Sequence, residues 1–202
     1  MKRVLAFDLG GSSGRAILAE YQNGQLTWQQ VHRFEHCPRD VDGHFCWDFE
    51  DLIAHIQLSM DRAGNFVSIG VDSWGVDFGL LEEQGKLRGD PVHYRDARTN
   101  GGVERALSVL PARQLYAATG NQIMPINTLF QLLALRKQQP EIWKRAHRLL
   151  FMPDLIIHRL CGAEIFETTI ASTSQMLDPS TGSWSRTVPE AFDIPDSQFA
   201  PL

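Results

Sequence analysis

Several features common in other classes of protein are missing from this 202-residue sequence, and each absence excludes a class of structure or function. Only three cysteines occur and none belongs to a CxxC pair, so we expect neither a disulfide framework nor a zinc site. The net charge of -5 gives no basic footprint for nucleic acid and no polybasic membrane anchor. No run approaches the roughly 20 apolar residues of a membrane span. We therefore expect small-molecule partners.

Targeting segments and the common nucleotide-binding motifs are missing too. The residues MKR lead directly into an apolar strand, so we expect no leader peptide and a cytoplasmic protein. The sequence has no internal repeat, no Walker GxxxxGK[ST] pattern and no GxGxxG fingerprint. A nucleotide site in this chain would therefore be built from another kind of loop.

The most informative stretch is VLAFDLGGSSGR, in which an apolar strand ends at Asp8 and a turn of small residues leads to Arg15. The small residues are Gly10, Gly11, Ser12, Ser13 and Gly14. Backbone N–H groups and hydroxyls in such a turn can approach an anion, and Arg15 adds a positive charge. Asp8 is placed to orient Mg²⁺ through water. The alternative is a plain glycine-rich turn with a solvated aspartate.

The first half of the sequence alternates with the period of two that is typical of strands. After the glycine-rich turn, RAILAEY reaches an Asn23-Gly24 hairpin signal, and QLTWQQVHRFEH supplies the third strand of an antiparallel meander. Turn-rich residues 37–47 predict a loop, and Asp48 is placed to cap a helix that ends near Gly64. Three histidines lack a metal-ligand spacing and are interpreted as ordinary surface or hydrogen-bonded residues: His32, His36 and His44.

A second informative stretch is FVSIGVDSWGVDFGLLEEQGKL, which predicts a hairpin of two strands with its turn at residues 73–75. Trp74, Gly75 and Asp77 have the composition of a sugar site. The aromatic ring suits the apolar side of a carbohydrate, the glycine allows close approach, and the carboxylate can accept from hydroxyls. An ordinary hairpin with a packed Trp74 is the alternative interpretation.

Two later segments add polar candidates. HYRDART contains Arg95, Asp96 and Arg98, which form either a solvated ion-pair cluster or a polar wall for substrate hydroxyls. GNQIMPINT contains Gln122 and Asn127, whose amides can bind a ligand or can cap helices.

From Thr99 onward the apolar period changes to about 3.6, so we expect the second half to be mainly helical. Helices are predicted over residues 100–110, 111–118, 128–138, 141–146 and 153–161. The tail is rich in proline, serine and aspartate, with one short amphipathic piece at residues 188–192.

In combination, DLGGSSGR, VDSWGVDFGLL, YRDART and NTLFQLLAL resemble the FGGY carbohydrate kinases over essentially the whole chain. The resemblance implies an α/β fold with a mixed sheet, namely the ATPase fold of actin, hexokinase and Hsp70, in which two ribonuclease-H-like lobes close on a cleft. Residues 1–202 would then form the N-terminal lobe, and the second, nucleotide-binding lobe would be missing.

The resemblance also implies a role for each candidate residue. Asp8 would serve Mg²⁺, and the phosphates of the co-substrate ATP would contact Gly11, Ser12, Ser13, Gly14 and Arg15. The sugar would contact Trp74, Gly75, Asp77, Arg95, Asp96, Gln122 and Asn127. The general base is expected to be an aspartate beyond Leu202, so we expect this chain by itself to be inactive.

Sugar specificity depends on a departure from the family pattern. Phe130 and Gln131 stand in a stretch where many members have a lysine, which favours the branch that phosphorylates L-rhamnulose at O1. Kinases of fuculose or xylulose are alternatives, as is a non-catalytic interaction module of actin-like fold. The oligomeric state stays open.

Overall fold

The computed structural model describes residues 2–199 and 201–202, which divide into two compact units. The first unit consists of the first 39 residues together with Trp47–Trp74. The second consists of Asp40–Cys46 and Gly75–Leu202. Within the described ranges, no helix has the length and apolar character needed to cross a membrane.

The strands are concentrated in the first half of the chain and the helices in the second. The strands are β1 (Lys2–Leu9), β2 (Ser13–Gln22), β3 (Gln25–Glu35), β4 (Arg39–Val41), β5 (His44–Cys46), β6 (Ser68–Ser73), β7 (Phe78–Leu81), β8 (Arg148–Phe151), β9 (Leu177–Asp178) and β10 (Ser183–Trp184). The helices are α1 (Phe49–Ala63), α2 (Gly102–Leu107), α3 (Ala112–Thr119), α4 (Thr128–Gln138), α5 (Pro140–Arg145), α6 (Met152–Cys161), α7 (Thr168–Ser172) and α8 (Thr187–Phe192), with short 3₁₀ turns at Ala97–Thr99 and Asp196–Gln198. This order confirms the predicted mixed α/β class.

The first unit contains a four-stranded mixed sheet with the order β3-β2-β1-β6. Strand β1 is antiparallel to β2 and parallel to β6. Asn23 and Gly24 both have positive φ, 51° and 80°, and form the two-residue turn that aligns Gln22 with Gln25. The predicted antiparallel meander is therefore confirmed.

Helix α1 contacts β2 and β3 and buries one face of this sheet. Its Phe49 and Ile56 are buried, and Phe34 of β3 stacks on His55 with ring centroids 4.3 Å apart. Asp48 caps the helix by accepting the Asp51 N–H at 3.1 Å, as predicted. The sheet is thus fixed to the helix along one side.

The opposite face of the sheet carries apolar side chains that stay exposed, together with a polar end. The largest exposed ones are Val4, Tyr21, Leu26 and Trp28, at 36%, 55%, 65% and 68% exposure. At the carboxyl end of β1 the same face presents Asp8, because residues 4, 6 and 8 alternate with the buried residues 5, 7 and 9. This alternation places Asp8 away from α1.

In the second unit, β7 and β8 form an antiparallel pair in which all four β7 residues are buried. The predicted hairpin with its turn at residues 73–75 is therefore wrong, because β6 pairs with β1 in one sheet and β7 pairs with β8 in another. The partner of β7 is β8, which lies far along the chain, so the local pattern of strand, turn and strand could not reveal the pairing.

The predicted loop over residues 37–47 is also wrong in part, since β4 and β5 form a short two-stranded sheet there. Asp42 and Gly43, with φ of 54° and 81°, make the turn between the two strands. An Asp-Gly pair is a standard signal for this kind of turn, so the sequence did carry the information.

The helical prediction for the second half is confirmed, with shifted ends. Helix α4 begins and ends at the predicted residues. Helix α2 is shorter than the predicted 100–110, and Pro111 occupies the position before α3 instead of its first turn. Both differences lie at helix ends, where the sequence pattern is least informative.

The three cysteines are free, as expected: Cys46 is buried, and Cys37 and Cys161 are exposed. Within residues 2–199 and 201–202, no group of three or more histidine, cysteine or acidic side chains is arranged to hold a metal ion.

Candidate functional site

The predicted phosphate-binding residues form a compact turn between β1 and β2, called here the glycine turn (Gly10–Gly14). The Gly10 N–H donates to the Ser13 carbonyl at 2.9 Å, which closes the turn. Gly10, Gly11 and Ser12 are exposed, Ser13 is partly buried and Gly14 is buried. The first residues of the turn are therefore open to an incoming group.

Gly14 is required by packing. A Cβ atom at this position would lie 2.4 Å from Cζ of Phe34 and 2.8 Å from Cδ2 of Leu9, far inside contact distance. A Cβ at Gly10 would lie 3.4 Å from the Ser13 carbonyl oxygen, which is ordinary contact. Gly14 thus lets the turn approach the core, while Gly10 belongs to its open side.

Asp8 and Arg15 face each other across the β1–β2 pair and form an ion pair, with Nε and Oδ2 2.9 Å apart. Both side chains are about half exposed. Asp72 of β6 is in register with Asp8 on the neighbouring parallel strand, and therefore shares its face of the sheet. Two carboxylates consequently lie beside the glycine turn, and oxygen ligands of this kind suit Mg²⁺.

His36, interpreted from the sequence as an ordinary surface or hydrogen-bonded histidine, belongs to this site. It is 6% exposed, and its Nε2 donates to the Gly10 carbonyl at 2.8 Å. Its backbone N–H donates to the Ser12 carbonyl at 3.2 Å. The one available signal was the alternation of β3, since His36 follows the buried Phe34 by two residues.

Trp74, the predicted sugar-contacting aromatic residue, is partly buried and belongs to the same unit as the glycine turn. Its ring lies 4.1 Å from that of Trp47 and 5.3 Å from that of His36, measured between centroids. The His36 and Trp74 rings are stacked, with an angle of 27° between their planes. The histidine therefore touches both the glycine turn and Trp74.

In the second unit, Gly75, Val76 and Asp77 form a three-residue turn, called here the Val76 turn. The Asp77 N–H donates to the Gly75 carbonyl at 2.9 Å, and Val76 has φ of 69°. A β-branched residue in this region is strained, at a cost of about 1–3 kcal/mol. A γ-turn of this hand is rare, and strained backbone of this kind concentrates at functional sites.

Three side chains from later in the chain hold the Val76 turn. The Val76 N–H donates to Oγ1 of Thr173 at 3.0 Å, and the Val76 carbonyl accepts from Oγ1 of Thr128 at 2.7 Å and from Nε2 of Gln131 at 3.3 Å. A Cβ at Gly75 would lie 2.9 Å from the Thr173 side chain, so only glycine fits against it. The surrounding structure thus enforces the strained conformation.

Asp77 is fully buried, and protein donors contact both of its carboxylate oxygens. Nε2 of Gln131 lies 3.0 Å from Oδ1, and the Tyr94 N–H donates to Oδ2 at 3.2 Å. Gln131 also accepts from Arg98 through its Oε1, so one amide bridges the carboxylate and the guanidinium. Asp77 therefore anchors the turn from inside the second unit.

The YRDART segment is divided between buried and exposed residues. Asp96 and Arg98 are buried, which excludes a solvated ion-pair cluster for these two residues, while Arg95 is exposed. Burial lowers the pKa of Arg98 to about 10, against the opposing effect of the Asp77 and Asp96 carboxylates.

Asp96 also organises its surroundings. Although burial raises the pKa of Asp96, hydrogen bonds from Phe45 N, Arg98 N and the His44 ring hold it below its usual value. The segment therefore supplies internal charges that fix the loop, and one exposed cation at Arg95.

Asn127 and Gln122 lie together before α4. Asn127 is buried, and its amide donates to the Gln122 carbonyl at 3.2 Å and to Oε1 of Gln175 at 2.8 Å. Asn127 occupies the position before the helix without a side-chain capping bond, so the alternative of a capping amide is wrong for this residue. Its Oδ1 is buried with no hydrogen-bond partner. The Gln122 residue is exposed.

Each unit thus carries one part of the predicted constellation. The first holds an open turn flanked by carboxylates and an aromatic stack, an arrangement suited to a phosphate with a hard divalent cation. The second holds a strained turn fixed by buried amides and hydroxyls.

A family model for the FGGY family of carbohydrate kinases, N-terminal domain, matches residues 3–202. The chain belongs to the FGGY family. Rhamnulokinase from Yersinia pestis bv. Antiqua (strain Angola) is 42% identical over 203 residues, which cover 98% of this chain and 42% of that protein. Rhamnulokinase from Klebsiella pneumoniae (strain 342) is 41% identical, with 93% of this chain and 40% of that protein covered. The chain thus spans less than half the length of these relatives.

Solved structures confirm the fold. A ligand-bound xylulose kinase from Lactobacillus acidophilus matches with a TM-score of 0.85 at 21% identity, covering the whole of this chain and 42% of that one. A Plasmodium falciparum glycerol kinase with ADP matches with a TM-score of 0.77 at 16% identity, covering the whole of this chain and 43% of that one. The chain therefore has the fold of an FGGY kinase N-terminal region, as predicted from its motifs.

Proposed function

We propose that this FGGY chain is the N-terminal lobe of an ATP-dependent kinase that phosphorylates L-rhamnulose at O1. The observation that carries the proposal is the 42% identity to a rhamnulokinase over 98% of the chain. The open glycine turn and the braced Val76 turn support it, because phosphoryl transfer depends mainly on positioning and on neutralising charge.

In the first unit, we assign phosphate contact to Gly11, Ser12, Ser13 and Arg15, and metal contact to Asp8. The half-exposed carboxylate of Asp8 fits a Mg²⁺ ion or one of its water ligands, and the ion would neutralise phosphate charge when bound. Arg15 pairs with Asp8 in the structure. We therefore expect a phosphate to compete with Asp8 for Arg15, and a metal ion to compete with Arg15 for Asp8. Gly14, which is buried, would act by holding the turn close to the core.

For the sugar, we propose that Trp74, Gly75, Arg95 and Gln122 offer the direct contacts, because these residues are partly buried or exposed. Asp77, Asp96 and Asn127 are buried, so we propose that they act by fixing the segments that carry those contacts. The general base and the adenosine site would come from sequence beyond residue 202.

Calorimetry on the 202-residue chain tests the binding half of this proposal. We expect separate, weak binding of MgATP and of L-rhamnulose, with L-fuculose and D-xylulose binding less well. A chain that binds neither the nucleotide nor any sugar would favour a non-catalytic module of the same fold. Tighter binding of D-xylulose would contradict the choice of sugar.

Activity tests the catalytic half. A coupled ATPase assay with L-rhamnulose should give negligible turnover for this chain, since loss of a general base typically costs about 10²–10⁴ in rate. Robust turnover would show that the base lies within residues 1–202.

Trp74→Ala separates ligand contact from packing at this residue. Because the ring is stacked yet partly exposed, we expect a lower melting temperature and also weaker L-rhamnulose binding. Trp47→Phe, which alters the buried partner of the stack, is the matched control and should change stability with less effect on sugar affinity. Sugar affinity unaffected by Trp74→Ala would remove Trp74 from the sugar site.

A further inference from the structure

Two carbonyl groups of the glycine turn accept hydrogen bonds from the same residue, His36. The backbone N–H of His36 donates to the Ser12 carbonyl, and the His36 ring donates from Nε2 to the Gly10 carbonyl. The two bonds, 3.2 and 2.8 Å long, attach both sides of the turn to the residue that directly follows β3. Neither bond could be read from the local sequence, since the partners are 24 and 26 residues apart.

The bond to Gly10 determines where the next N–H group points. In a planar trans peptide, the carbonyl of one residue and the N–H of the next point in opposite directions. With the Gly10 carbonyl directed at His36, the N–H of Gly11 is directed away from it. Gly11 is one of the exposed residues of the turn and one of the predicted phosphate contacts.

The imidazole is held so that it can keep this bond. Its ring is stacked on Trp74 and lies 5.4 Å from the ring of Trp47, centroid to centroid. Burial lowers the pKa of His36, outweighing the bond to Gly10 and the nearby Asp51 carboxylate, which raise it. A neutral imidazole with its proton on Nε2 is the form that both donates to Gly10 and tolerates burial.

We propose that His36 is a positioning residue for the glycine turn: it holds the Gly10 carbonyl inward and so aims the Gly11 N–H at the phosphate of the nucleotide. The ring also links this turn to Trp74, the predicted sugar contact, through direct stacking. The assignment rests on the proposed function only for the identity of the anion.

Two substitutions separate the donor from the ring. His36→Gln places an amide nitrogen near the position of Nε2 and so keeps a donor, whereas His36→Phe keeps an aromatic ring without a donor. His32→Gln, four residues earlier in β3 and in contact with His55 and Arg62, is the matched control. Circular dichroism spectra and melting curves establish that each variant is folded.

The first measurement is the affinity of the 202-residue chain for MgATP by calorimetry. We expect His36→Phe to weaken binding about tenfold, which corresponds to about 1.4 kcal/mol. We expect His36→Gln to stay within about threefold of the parent chain, and His32→Gln to bind unchanged. Parent-like binding by His36→Phe, or equal losses in His36→Phe and His36→Gln, would overturn the donor role.

The second measurement needs no ligand. In the parent chain, we expect the NMR backbone order parameter of Gly11 to have a rigid value of about 0.85. It should fall toward about 0.6 in His36→Phe and return to the parent value in His36→Gln. If the parent chain fails to bind MgATP, the proposed function fails while this result still decides the role of His36. A rigid Gly11 in His36→Phe would contradict the positioning role, whatever the nucleotide result.

Discussion

The glycine turn and the Val76 turn differ in how they are held. The glycine turn is exposed at its first three residues, consists of small residues, and is held by one histidine and its own backbone. The Val76 turn is buried except at the partly buried Gly75, and it contains a β-branched residue at positive φ. It is fixed by Thr128, Gln131 and Thr173. An open turn can adjust around a ligand, whereas a strained, braced turn presents one fixed shape. Substitutions should therefore destabilise the second turn more than the first.

The largest expected effect is at Gln131, whose amide joins Asp77 to Arg98. Gln131→Leu should lower the free energy of unfolding by about 3–5 kcal/mol, because it leaves two buried charged groups each short of a hydrogen bond. Urea denaturation measures this loss. Gln114→Leu, at an exposed position of α3, is the control and should change stability by less than about 0.5 kcal/mol. Similar small values for both variants would show that the brace is dispensable.

The next effect concerns pH and Asp154 of α6. Burial, and secondarily the Glu167 carboxylate, raise the pKa of Asp154 to about 7, although its Oδ1 accepts the Glu167 N–H. Glu167 in turn caps α7, which leads into Thr173 beside the Val76 turn. The folded state therefore binds the proton of the Asp154 carboxyl group more tightly than the unfolded state does. The stabilisation that this protonated group contributes is complete below about pH 4 and is lost as the pH rises to 7.

Asp154→Asn should flatten the pH dependence of unfolding between about pH 4 and 8. The change in unfolding free energy that Asp154 contributes over this pH range is at most about 4 kcal/mol, from the size of its pKa shift. Melting curves at a series of pH values measure it. Asp61 is an exposed carboxylate on α1, and Asp61→Asn should leave the pH dependence of unfolding unchanged. An unchanged pH dependence in Asp154→Asn would show that Asp154 has no raised pKa in the folded state.

A smaller effect is expected in the glycine turn, at its one tightly packed residue. Gly14→Ala should destabilise the first unit by about 1–3 kcal/mol, because its methyl group would overlap Phe34 and Leu9. Gly10→Ala is the matched control on the open side, with an expected change below about 1 kcal/mol. Hydrogen exchange of β1 amides would report the loss; equal values for the two glycines would contradict the division into a packed and an open side.

Thr173→Val removes the acceptor of the Val76 N–H while keeping the shape of the side chain. It should cost about 1–2 kcal/mol, with Thr173→Ser retaining most of the stability because the hydroxyl remains. If the Val76 turn presents the sugar contacts, L-rhamnulose affinity should fall with Thr173→Val and recover with Thr173→Ser. Matching stabilities in the two variants would mean that the hydroxyl does not support the turn.

The smallest change in stability is expected at Asp8. Asp8→Ala removes a half-exposed ion pair with Arg15, so unfolding should change by less than about 1 kcal/mol. Magnesium-dependent ATP binding should fall by a much larger factor, since the carboxylate would no longer attract the cation. Arg3→Ala, which breaks the partly buried ion pair with Glu20 near the other end of β1, is the control and should leave nucleotide binding unchanged. Unaltered ATP binding by Asp8→Ala would leave Asp8 as a solvated turn residue.

Local chemistry made part of this fold predictable. The Asp48 cap of α1, the Asn23-Gly24 turn and the full extent of α4 depend on residues close in sequence, and all three were read correctly. The path from β6 to β7 was predicted wrongly as a hairpin. The residues that hold the Val76 turn, Thr128, Gln131 and Thr173, lie some 50 to 100 positions later, so no local pattern announces the strained turn.

The candidate site shows the same division. Motif composition placed Asp8, the glycine turn and Trp74 on the list of candidates, and the structure brings these residues into one unit. It could not reveal that Asp77 would be surrounded by protein donors, or that His36 would bond to Gly10. Both facts are contacts between segments far apart in the chain. Alternation in the sequence can indicate which side chains face inward, but it cannot identify the residues that they meet there.

The distribution of thiols has a practical use. Cys37 is exposed and directly follows His36, Cys161 is the other exposed thiol, and Cys46 is buried. With Cys161→Ser, a maleimide fluorophore would react at Cys37 alone, next to the histidine that braces the glycine turn. Nucleotide arrival could then be followed in real time by a change of emission, with no foreign attachment point added to the protein.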